Sequence, residues 1–206
     1  MKKVVSMILV ALMLFTASMA MARTLIPESN EIDDLPGAMV HATVGEYDTL
    51  TKTFTVTLYN DDRFDIDDVE KLKVGDTLVA GGHVYKVAEK IEMENGDILV
   101  KTEDGYEIEF FQVGDDDMIA QSTDDDRRYM HAFGVLYLPA AANIRFEDNS
   151  DPDRTDAVVT EGLENILKIK AEKEENSIGF DYYATVITLN SNMEIEVIHQ
   201  DFDVAQ

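Results

Sequence analysis

Thr53-Phe54-Thr55-Val56-Thr57-Leu58 alternates threonine with large apolar residues over six positions. Successive side chains of an extended strand point to opposite faces, so this run is predicted to bury Phe54, Val56 and Leu58 and to leave the threonines outward. Val40, Ala42 and Val44 carry the same period just upstream, and residues 39–59 are therefore expected to form a hairpin. The fold class follows from how often this pattern recurs.

Downstream, Asp67-Asp68-Val69-Glu70-Lys71-Leu72 suits one or two helical turns with an aspartate cap. Three tight-turn signals then come close together. Gly81-Gly82 separates Thr77–Ala80 from His83–Ala88, Asn95-Gly96 separates Lys90–Met93 from Ile98–Thr102, and Asp104-Gly105 leads into Tyr106–Phe111. Such dipeptides suit the positive φ angles of hairpin turns. Six short strands in this spacing predict a small antiparallel barrel over residues 37–113. Leu72-Lys73-Val74-Gly75-Asp76-Thr77-Leu78, followed by the Gly-Gly hairpin, resembles the turns of OB-like and Src-homology-type small barrels. That resemblance covers residues 39–113 and implies a fold, without a function.

Residues 114–128 hold Asp115-Asp116-Asp117 and Asp124-Asp125-Asp126 around the apolar island Met118-Ile119-Ala120, and read as an acidic linker or excursion. Beyond it, 129–206 is expected to be an α+β unit. Met130–Leu138 is a strand, Pro139-Ala140-Ala141-Ala142 turns the chain, and Asn143–Glu147 returns. Leu163, Ile166, Leu167 and Lys170 recur at helical spacing within 160–170. Phe180–Leu189 and Met193–His199 then form a C-terminal hairpin through Asn190-Ser191-Asn192. The expected class is mainly β with some α, a barrel followed by an α+β unit.

The first 22 residues supply an address. Lys2 and Lys3 precede a largely apolar twelve-residue stretch, Val4–Phe15, and the small-residue exit Ala20-Met21-Ala22 fits a signal-peptide cleavage site. Twelve residues fall short of the roughly 20 a spanning helix needs. Cleavage after Ala22 would leave a polar leader, 23–36, expected to be flexible. It would remove two of the 17 basic side chains and none of the 42 acidic ones, leaving 15 against 42 and a charge of −27. Phosphate backbones and anionic membrane surfaces repel such a chain, so neither nucleic acid nor membrane is expected as a partner after cleavage. The expected location is secreted, or periplasmic where the host has an outer membrane.

The chain has no cysteine, hence no disulfide, no thiolate nucleophile, no cysteine metal ligand and no lipid attachment at the cleavage site. Calcium takes oxygen ligands, which makes Asp115, Asp116, Asp117, Asp124, Asp125, Asp126, Asp148, Asp151 and Asp153 the metal candidates. The helix–loop–helix calcium pattern fails at both registers. Starting at Asp148 puts Pro152 fifth and Asp153 where glycine belongs, and starting at Asp151 puts Gly162 where glutamate belongs. Solvated surface outweighs a metal site for these runs. No other cofactor is expected.

His41, His83, His131 and His199 stand apart in sequence, and Ser29, Ser122, Ser150, Ser177 and Ser191 lack the Gly-x-Ser-x-Gly elbow. Gly81-Gly82 leads into a strand and so makes no phosphate cradle. Tyr129, Tyr137, Tyr182 and Tyr183 would offer a stacking surface for sugar or peptide, except that Tyr182 and Tyr183, on a strand, must face opposite sides. With every compact catalytic signature missing, the chain reads as an exported bacterial binding or interaction module without enzymatic activity. Its ligand, its oligomeric state and its partner, a protein or an envelope component, stay open. The alternative is a secreted hydrolase with carboxylates scattered along the chain.

Overall fold

The computed structural model describes residues 22–28, 35, 37–175 and 179–201. The cleavage segment, 1–21, and residues 29–34 and 36 of the leader lie outside these. The chain is mainly β, with two helices among the described residues. Its strands are β1 (Thr24–Leu25), β2 (Met39–Asp48), β3 (Thr53–Asp61), β4 (Arg63–Asp65), β5 (Thr77–Ala80), β6 (His83–Glu92), β7 (Ile98–Thr102), β8 (Glu107–Gln112), β9 (Asp117–Ser122), β10 (Met130–Asn149), β11 (Val158–Glu161), β12 (Thr185–Leu189) and β13 (Ile195–Asp201). Helix α1 spans Ile66–Glu70 and α2 spans Leu163–Glu175. No helix of the described residues is long and apolar enough to cross a membrane.

One sheet has the order β1-β5-β6-β7-β8-β9-β4 and curls into a half-barrel. Its middle is a meander whose hairpins turn at Gly81-Gly82, Gly96 and Gly105, all with positive φ. Alternation sends Leu78, Val87, Val100, Ile108 and Phe110 inward, where Phe64 meets Phe110 edge-on at 5.2 Å. Asp65 caps α1, its side chain accepting the Asp68 N–H, and Val69 of that helix closes the core.

The other sheet has the order β11-β10-β13-β12-β2-β3, and a further pairing of β10 with β3 closes five of these strands into a ring, with β11 as an edge strand outside it. The twenty-residue β10 makes this closure by changing partners along its length. Met130–Pro139 runs antiparallel to β3, whereas Ala140–Asn149 runs parallel to β13. A parallel neighbour needs a crossover, which β11, α2 and β12 provide. Ala42, Val44, Phe54, Val56, Leu58, Phe146, Ile187 and Ile198 fill the ring, and Ile166 of α2 adds to the same core.

This pairing corrects the expected division at residue 113. The 39–59 hairpin forms as read, but it joins β10 and β12 in the second sheet, so the half-barrel is inserted between β3 and β10. The 114–128 stretch is no linker, because Met118, Ile119 and Ala120 are buried in β9 between β8 and β4. Pro139–Ala142 does not reverse the chain; β10 continues through it, with an irregularity in its pairing between Ala140 and Arg145. The start of the leader is docked as well. Leu25 is buried, and β1 pairs with β5 while the Arg23 N–H donates to Asp76 Oδ1 at 2.9 Å.

Candidate functional site

Six of the eight tyrosines gather where the two sheets meet. Tyr59 points outward at the end of β3 and stacks on Tyr182, with centroids 3.9 Å apart and planes 10° apart. Tyr183 lies 4.0 Å from Tyr182, and the Arg127 guanidinium sits 4.6 Å from the centre of the Tyr183 ring. From the half-barrel, Tyr85 reaches out to Tyr129 at 6.1 Å and Tyr106 at 5.5 Å. Aromatic pairs of this kind contribute about 0.5–1.5 kcal/mol beyond burial.

Local structure explains the convergence. β12 begins only at Thr185, and the preceding Asp181–Ala184 is a turn closed by the Ala184 N–H on Asp181 O. A turn releases neighbours from strand alternation, so Tyr182 and Tyr183 lie side by side, contrary to the expected opposite faces. His41 holds this turn from β2, its Nδ1–H donating to the Tyr182 carbonyl at 3.0 Å. Tyr106 follows the Asp104-Gly105 turn, with its N–H on Thr102 Oγ1. Tyr129 lies against Gly81, whose left-handed φ of 57° strains any L side chain and whose added Cβ would stand 2.9 Å from the ring.

Burial raises the phenol pKa of Tyr85, Tyr129 and Tyr182; neighbouring phenols and aspartates raise Tyr129 and Tyr182 further, while the hydrogen bond with Tyr129 offsets part of the rise at Tyr85. Tyr85, Tyr129 and Tyr182 are therefore held neutral and keep their O–H donors. Two grooves flank it. One, of about 360 Å³, is lined by Met39, His41, Tyr59, Asn60, Asp61 and Arg63. The other, of about 230 Å³, is the mouth of the half-barrel, lined by His83, Val84, Tyr85, Asp104 and Tyr106. Tyr106 is 50% and Tyr183 38% exposed, so the belt reaches the surface at both lobes.

Asp62 lies beneath the belt. Its side chain is fully buried, accepting the Nδ1–H of His131 at 2.6 Å and the Gly81 N–H at 2.5 Å. A carboxylate orienting an imidazole is also the base-and-orienter half of a hydrolytic triad. The described serines, however, are engaged or placed elsewhere. Ser122 Oγ accepts the Asp124 N–H, Ser150 Oγ donates to Asp148, and Ser191 is exposed in the β12–β13 turn. Lys173 is 3.0 Å from Asp148 and 3.5 Å from Ser150 Oγ. Burial pushes the Asp148 carboxyl up, but hydrogen bonds from Ser150 and Lys173 outweigh it and hold the group low. A lysine paired to that carboxylate is no base for the serine.

The sequence-predicted metal candidates stay apart. Asp115–Asp117 tip the β8–β9 hairpin, where the Asp116 carbonyl accepts the Ile66 N–H and Asp117 faces Arg63 at 3.7 Å. Asp124–Asp126 form the β9–β10 loop, with Asp125 beside Arg127. Asp148 pairs with Lys173, while Asp151 accepts the Asp153 N–H. Among the described residues no three His, Asp or Glu side chains converge as a metal-holding group. Salt is therefore expected to act by screening, which at about 0.15 M shortens the reach of a charge to roughly 8 Å. The melting temperature should rise by about 2–4 °C for each kcal/mol of repulsion relieved, equally for sodium, magnesium and calcium at matched ionic strength. A saturable, calcium-specific rise lost on asparagine substitution of the two triplets would show a metal site instead.

Of the aromatics singled out in the sequence, Tyr129, Tyr182 and Tyr183 join the belt. Tyr137 stands apart, exposed on the outer side of β10 opposite Thr55. Tyr59, Tyr85 and Tyr106 gave no signal beyond being strand residues. No family model, no curated protein and no solved structure matches this chain.

Proposed function

We propose that this chain is an exported binding module without enzymatic activity, which recognises a protein or other envelope component through its tyrosine belt. The gathering of six of the eight tyrosines at one partly exposed junction carries this reading. Tyrosine offers large, rigid, amphipathic contact area at low cost in side-chain entropy, the property that enriches it in recognition surfaces. A formal charge of −25 repels nucleic acid from such a surface.

Strand order adds a finer reading of the fold. Taken as first to fifth strands, β2, β3, β10, β12 and β13 pair in the ring order first-second-third-fifth-fourth, with α2 between third and fourth. That order is similar to an OB-type barrel carrying the half-barrel as an insertion between its second and third strands. Such barrels bind ligands on the face of the second and third strands. Here that face bears Thr55, Thr57, Val135 and Tyr137, uncharged in a strongly acidic chain.

The test compares capture from the native cell surface and medium by wild-type protein and by Tyr106→Ser/Tyr183→Ser, at matched melting temperatures. Loss of a component with the variant is the expected result, and equal capture by both would refute the belt as the recognition surface. The second reading, a secreted hydrolase, rests on the Asp62–His131 pair. It requires a hydrolytic activity that His131→Gln removes while capture persists.

A further inference from the structure

We infer that the mouth of the half-barrel binds the primary ammonium of a lysine side chain presented by a basic polypeptide. This rests on the recognition reading above and gives the partner its chemistry. In the groove of about 230 Å³, the Tyr85 ring is inclined 69° to Tyr106 and 60° to His83. Tyr85 itself is buried and braces the site, whereas Tyr106 is 50% exposed, so the ring surface offered to a guest is that of Tyr106. An aromatic face carries the negative part of the ring quadrupole and attracts a cation within about 6 Å of the centroid. Asp104 adds a full negative charge on the rim.

Other guests fit less well. An anion meets Asp104 and the neighbouring Asp124 and Asp125, whose fields reach Tyr129. A divalent metal needs several oxygen ligands, and this groove has one carboxylate. The flexible methylene stem of lysine has Val84, 66% exposed, to lie against. Nearby cations of the chain itself are engaged. Lys86 is 2.6 Å from Glu103, and Arg127 covers Tyr183, which is the same cation-on-ring chemistry made internally.

The experiment titrates decalysine, and decalysine acetylated on every side chain, into the full chain by calorimetry at about 0.15 M salt. Wild type is compared with Tyr106→Leu, which keeps apolar bulk but removes the ring, and with Asp104→Asn, an exposed change that leaves the fold intact. The control Asp151→Asn/Asp153→Asn/Asp156→Asn removes three charges beyond the far end of β10. Decalysine should bind and its acetylated form should not. Either groove variant should weaken binding about fivefold or more, and the control less than twofold. Equal binding by wild type and both groove variants, a larger loss in the control, or binding of the acetylated peptide would overturn the proposal. Absence of decalysine binding would also overturn it, whereas capture lost in Tyr183→Ser alone, outside the groove, would still support the belt.

Discussion

Leu58→Asp is expected to abolish cooperative folding of the ring, the largest effect of any single substitution in this sheet. Leu58 is 1% exposed and sits in the central strand of three, facing Ala42 across β2 and Gly134 across β10. The change removes about 2–3 kcal/mol of apolar burial. It also places a carboxylate among Val56, Ile187 and Ile198, where an unpaired charge costs several kcal/mol more. The sum approaches the whole stability of a typical domain, about 5–15 kcal/mol. Thr57→Asp, one residue away on the half-buried outer face, should cost only about 1 kcal/mol, the loss of strand propensity. Circular-dichroism melts of both variants decide the matter. A Leu58→Asp protein melting cooperatively near wild type would remove Leu58 from the core.

That contrast marks what the sequence makes legible. Alternation and turn chemistry act over a few residues, so β2, β3 and the three hairpins of the half-barrel follow from the order of side chains. Partners across long stretches do not. The outer edges of the 39–59 hairpin pair with Met130–Pro139 and with Thr185–Leu189, and nothing local to the hairpin distinguishes those strands from its nearer neighbours. In β9, Met118 and Ile119 are both buried, so the period-2 signal vanishes, and the flanking aspartates make the island look like a loop. Pro139 closes the pairing with Thr53, where β10 is about to leave β3. Proline followed by small residues suits a change of sheet direction as well as a turn, and sequence alone does not choose between them. The belt was hidden for the same reason. Its members come from β3, β6, the turns before β8 and β12, and the loop before β10, and only long-range pairing brings them together.

Removing the Asp62 carboxylate is expected to loosen the half-barrel from the ring. Asp62 is the residue between β3 and β4, where the chain passes from one sheet to the other, and its backbone is fixed by the Tyr129 carbonyl and the Ala120 N–H. Its side chain satisfies two donors from distant elements, Gly81 of the β5–β6 hairpin and His131 of β10. In Asp62→Ala both lose their acceptor, but His131 is 26% exposed and Gly81 half-buried, so water replaces part of each bond and the cost is about 1 kcal/mol for each donor. The melting temperature should fall by roughly 4–8 °C, at 2–4 °C per kcal/mol for a chain of this size. Asp62→Asn keeps one carbonyl oxygen and should cost about half as much. The loss should be local before it is global, since Gly81 packs against Tyr129 and the hairpin leads straight into His83 and Tyr85 of the groove. Hydrogen exchange reads this directly: the Gly81 amide should lose protection in Asp62→Ala while amides in the middle of β3 keep theirs. If Gly81 stays protected and the melt is unchanged, the two lobes are joined by packing alone and Asp62 is not the link between them.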